Sequence, residues 1–132
     1  MLVLLLALPS PAAKPNGISQ VQVARRFLLA IIHHKWKEAY RYLTPTARQQ
    51  QSEKQFRQAA QLLAVPAREY GPVLDLYKLG YRLRDAATPE PFVAFTYRAD
   101  TLQPRPHIQL DVTFRDSTAR QIQSFRLVKL AH

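Results

Sequence analysis

The chain has no cysteine among its 132 residues. Disulfides, thiolate nucleophiles and cysteine-ligated metals are thereby excluded. Glycine is nearly missing too, with Gly17, Gly71 and Gly80 the only three. A phosphate-cradling loop or a Gly-x-Ser-x-Gly nucleophile elbow needs glycines more closely spaced than these. Acidic residues are scarce, 9 against 19 Lys and Arg, which leaves a formal net charge of +10. Such an excess attracts polyanions, whether nucleic acid, anionic lipid, cell-wall polymer or acidic protein, without choosing among them. No apolar run approaches the roughly 20 residues that span a bilayer.

What is present is a globular composition, 47% hydrophobic and 21% charged, enough for one domain with its own core. The opening "MLVLLLALPSPAAKPNG" holds an apolar run from Leu2 to Leu8, broken directly afterwards by Pro9, Pro11 and Pro15. "SPA" (Ser10, Pro11, Ala12) then offers the small-x-small pattern of a signal-peptidase site. The basic residue that usually precedes such a run is missing, and a short N-terminal core segment is the competing reading. The expectation is an exported protein, periplasmic or secreted, without a transmembrane anchor. Residues 1–13 form its signal peptide, incomplete at the N-terminus, 14–17 a linker and 18–131 a single domain.

Helical periodicity comes first. Ser19 and Gln22 form a capping box, and Val21, Ala24, Phe27, Leu28 and Ile31 make one apolar face of a helix ending near His33. Trp36, Ala39, Tyr40 and Leu43 give the face of a short helix over 35–43. Thr44 and Pro45 then suit a cap and a first helical position. A third helix opens with the capping box of Ser52 and Gln55, takes its apolar side from Phe56, Ala59, Ala60, Leu62 and Leu63, and stops near Ala64 because Pro66 follows.

After residue 70 the period falls to two. "YGPVLDLYKLGYRLRD" alternates in one phase through Leu74 and Leu76, then in the other through Tyr77, Leu79, Tyr81 and Leu83. A bulge near Leu76 and Tyr77 reconciles the phases. "FVAFTYRA", "HIQLDVTFR" and "RQIQSFRLVKL" read as three more strands. Helices followed by a strand meander give an α+β fold, with the helices packed on one face of a four-stranded antiparallel sheet.

Three stretches resemble the nuclear transport factor 2-like superfamily: "VARRFLLAIIHHKWKEAYRYLTPTAR", the "YGPV" entry into the first strand, and the closing "SFRLVKL". Phe125 stands where many relatives have Trp. The resemblance implies a cone, with the sheet strongly curved around a cavity beneath the helices, and it is closest to small exported members of unknown function. Ketosteroid isomerase and scytalone dehydratase share that fold.

The cavity so implied is lined by Phe27, Ile31, Trp36 and Tyr40 from the helices and by Phe95, Tyr97, Leu110 and Val112 from the strands. The leading expectation is a non-catalytic domain that binds a small apolar ligand or a protein partner. An isomerase or dehydratase is the alternative. It needs a carboxylate base beside a neutral acid in an apolar site, with Asp75 or Asp111 paired to Tyr40 or Tyr97. Both Asp residues fall out of phase with the apolar faces of their strands. His33 and His34 point about 100° apart on a helix, and Glu38 is the only close carboxylate, so neither a metal nor a cofactor is expected. Histidine at a helix C-terminus also complements the helix dipole. Arg82, Arg84 and Arg98 should stand together on the solvated sheet face. There they offer a surface for a homodimer, another protein or an anionic envelope polymer. Nucleic acid is disfavoured, because stacking needs exposed aromatics and the aromatics here follow the core phase.

Overall fold

Ser19 and Ser52 each start a helix by the same device. The Ser19 hydroxyl accepts from the Gln22 N–H at 3.1 Å, while the Gln22 side chain accepts from the Ser19 N–H at 2.8 Å. Ser52 and Gln55 repeat both bonds. These boxes satisfy N–H groups that lack a partner inside the helix. The computed structural model describes residues 17–83, 88–102 and 104–130. The expected signal peptide, most of the linker and Arg84 lie outside the described residues.

The long helices are α1 (Gln20–Ile32) and α4 (Glu53–Ala64), joined through the short α2 (Trp36–Arg41) and α3 (Pro45–Gln50). Thr44 caps α3, with Pro45 at its start. The second helix ends before Leu43, although Leu43 is fully buried. Leu43 instead pairs with Ile122: the Thr44 N–H donates to the Ile122 carbonyl at 2.9 Å, and the Ile122 N–H to the Tyr42 carbonyl at 2.7 Å. A helical turn that the sequence did not announce, α5 (Ala67–Tyr70), follows Pro66. Gly71, at φ 80°, turns the chain from α5 toward the sheet, a conformation that favours glycine.

The strands are β1 (Leu74–Arg82), β2 (Glu90–Tyr97), β3 (Ile108–Thr113) and β4 (Ser124–Lys129), with a 3-10 turn over Arg98–Leu102. They pair antiparallel in sequence order, so β1 and β4 are the edges. The β1–β2 register shifts between Leu76 and Lys78, where the sequence placed a bulge. The sheet is not strongly curled, contrary to the expected cone. Strong curvature comes from bulges and kinks, and the β2–β3 and β3–β4 registers run without a shift.

The helices cover one face of the sheet. Phe27, Leu28, Ile31, Phe56, Leu63, Val93, Phe95, Leu110 and Val112 form its buried core. Phe125 joins from β4, its ring 5.5 Å from that of Phe27 and 5.4 Å from that of Phe56. No helix among the described residues is long and apolar enough to cross a membrane.

Candidate functional site

The eight residues expected to line a cavity do not share one environment. Phe27, Ile31, Phe95, Tyr97, Leu110 and Val112 have no exposed surface. Trp36 and Tyr40 lie at the margin of the core. Of the eight, Trp36 alone lines a described hollow, a surface groove between the ends of α1 and α4. Both tyrosine hydroxyls are engaged with backbone. Tyr97 donates to the carbonyl of Leu63, and Tyr40 to those of Gln51 at 2.8 Å and Arg48 at 3.0 Å. These carbonyls belong to the ends of α4 and α3, which leave them without helical partners. Burial pushes the Tyr97 phenol's pKa well up, so it stays a donor.

The two aspartates face the other way. Asp111 lies opposite Ala94 and Arg126 in the sheet and is fully buried. It accepts from Arg82, and from the Gln109 amide at 2.6 Å. The Arg82 guanidinium also lies over the Phe92 ring, 4.1 Å from its centroid. Asp75 takes a forked pair of bonds from Arg98, at 2.7 and 3.0 Å. Those bonds hold its carboxyl below the usual range. Arg82 and Arg98, expected as a cationic surface, are thus each tied to a carboxylate.

One constellation escaped the sequence reading. Asp100, fully buried, accepts from the N–H of His107 at 2.7 Å and of Ile108 at 3.0 Å. Its other oxygen lies 2.9 Å from His107 Nδ1. Burial raises the Asp100 pKa, but the bonds from His107 and Ile108 outweigh burial and hold it low. The unit ties the 3-10 turn to the start of β3. Residues seven apart across a proline-containing loop carry no periodic signal that would pair Asp100 with His107. No group of three or more metal-ligating side chains occurs among the described residues.

The unusual surface is β1. Leu76 pairs across to Phe95 and Leu79 to Val93. Their side chains therefore share the face that the helices cover elsewhere. Here the cover stops short. Leu79 is 58% exposed, Tyr81 65% and Leu83 74%, with Leu76 and Tyr77 also exposed. A hollow of about 220 Å³ lies beside them, between β1 and the start of α1, lined in part by Val21, Leu79, Tyr81 and Val93. As an edge strand, β1 also has no strand beyond it in the sheet among the described residues. Period two names a face and not what covers it, so the alternation did not show that these residues are exposed.

No protein-family model matches the chain, and neither a curated protein nor a solved structure matches it.

Proposed function

We propose that this chain is a non-catalytic binding domain that takes a protein partner along β1. The observation behind this reading is the run of large apolar side chains, Leu76 to Leu83, left uncovered on an edge strand. Contiguous exposed apolar surface of this kind marks interaction sites. A small apolar ligand in the interior is the weaker form of the reading, since the described hollows lie around the core and not within it. The isomerase or dehydratase alternative needs an Asp beside a Tyr hydroxyl. Asp75 and Asp111 instead bind arginines on the far sheet face. The polymer-binding alternative draws its cations from Arg82, Arg84 and Arg98; Arg82 and Arg98 are engaged in the same pairs, and Arg84 lies outside the described residues.

Export, and membership of the nuclear transport factor 2-like superfamily, belong to this proposal. The leader-like run at Leu2 to Leu8 supports the first. The helices-first order and the bulged first strand support the second, although the open sheet does not add to it.

A photo-crosslinking residue placed at Tyr81, with another at Leu102 as an exposed control (82%), tests the binding reading in the producing cell. A discrete adduct from position 81 alone is expected. Equal smears from both positions, or no adduct from either, would contradict it.

A further inference from the structure

Beyond the bulge, the strand becomes regular. Lys78 to Arg82 pair residue for residue with Ala94 to Glu90. Their outer backbone edge is a stretch of five residues with no strand beyond it among the described residues. Such an edge is a template for another extended segment, whose main chain supplies the hydrogen bonds while alternate side chains supply specificity.

The two sides of this template differ. On the helix side stand Leu79 and Tyr81, with the 220 Å³ hollow beside them. That volume falls below the roughly 300 Å³ where small-molecule sites begin, and it suits one apolar side chain. On the other side stands Lys78, which meets the Tyr77 ring at 5.4 Å and no carboxylate among the described residues. Arg120, at the rim of the hollow, bonds only to the carbonyls of Ile18, Ser117 and Ala119. The single acid on the strand, Asp75, is held by Arg98. Lys78 on the template and Arg120 at the rim of the hollow therefore meet no carboxylate among the described residues.

A second copy of the chain fits poorly. It would bring its own Lys78 and Arg120 to the same edge, and like charges across strands destabilise pairing. Resting on the β1 reading above, we infer that the partner is an extended acidic segment that adds to β1 as a fifth strand. Its apolar residues continue the Leu79 and Tyr81 row, one of them entering the hollow, and its alternate Asp or Glu residues face Lys78. About five or six residues suffice, close to the usual strand length.

The test uses the full chain and three eight-residue peptides: alternating Val and Glu, alternating Val and Lys, and the Val–Glu peptide with N-methylated amides. Binding is read by fluorescence anisotropy, and the site by amide hydrogen exchange. The Val–Glu peptide should bind at least tenfold more tightly than the Val–Lys peptide and slow exchange within Lys78 to Arg82. N-methylation should abolish binding. Equal binding of the methylated peptide, equal binding of the Val–Lys peptide, or protection away from β1 would each overturn strand addition. So would self-association of the chain through β1, seen as a dimer by sedimentation. If the peptides fail while the adduct at position 81 persists, strand addition falls and the β1 reading stands; if both fail, the two fall together.

Discussion

Tyr97 gives its phenolic hydrogen to the main-chain oxygen of Leu63, tying the end of β2 to the last turn of α4. This bond joins the sheet to the helical layer at a point with no exposed side-chain surface. A Tyr97→Phe variant keeps the ring and leaves the carbonyl unanswered. Its unfolding free energy should fall by about 1–3 kcal/mol, the cost of a buried unpaired polar group. Urea titration checks this, with an unchanged slope expected because the exposed area is the same.

Much of the helical layer was readable from sequence. Serine followed by glutamine three residues later fixed both long helices, because that motif acts within a single turn. The bulge was readable as well, since the change of phase from Leu76 to Leu79 requires an extra residue. What could not be read was longer in range. Leu43 kept its apolar period while leaving the helix for Ile122, 79 residues away in sequence. Of the expected site residues, the phase put Phe95, Tyr97, Leu110 and Val112 correctly on one face. It did not say that Arg82 would meet Asp111, or that the helices would leave Leu79 and Tyr81 bare.

Arg82 and Asp111 make a strongly asymmetric pair, with the Asp111 side chain 1% exposed and that of Arg82 24%. An Arg82→Met variant leaves the carboxylate buried with only the Gln109 amide close, and Arg126 at 3.7 Å. A loss of about 3 kcal/mol is expected, the lower end of the range for breaking a buried pair, because Arg126 can move in. Adding Asp111→Leu should restore most of that loss. Chemical denaturation of the two single variants and the double variant measures the coupling.

Asp100 predicts an acid limb. Its folded pKa is depressed, so its contribution is complete above the unfolded value, about 3.9. That contribution is lost as pH falls through the lower folded pKa. Stability measured from pH 6 down to pH 2 should therefore decline more steeply in the native chain than in Asp100→Asn. At neutral pH the variant should already be weaker by about 1–3 kcal/mol, because the His107 and Ile108 N–H groups, which share one Asp100 oxygen, would then donate to a neutral amide oxygen and not to a carboxylate.

His34 closes α1 at φ 60°, with its ring stacked on Trp36 at 5.3 Å. The Lys35 N–H reaches the Ala30 carbonyl at 2.8 Å and the His34 N–H that of Ile31 at 3.0 Å, a Schellman turn whose left-handed position glycine normally fills. Replacement by Ala or by Gly removes the stack equally, so the difference isolates the backbone. His34→Gly should be more stable than His34→Ala by about 1 kcal/mol. Thermal unfolding of the two variants side by side gives that difference.

The central claim, that the bare face of β1 serves a partner and not the fold, is tested most directly by one double substitution. Leu79→Asp with Tyr81→Asp is introduced together with a photo-crosslinking residue at Leu83, and stability and adduct formation are measured on the same protein. The unfolding free energy should stay within about 0.5 kcal/mol of the parent, as for surface positions, and the adduct that position 83 gives in the parent should be lost completely. A loss of several kcal/mol would show that these side chains hold the fold together, and an adduct that persists would show that the partner sits elsewhere; either result contradicts the account.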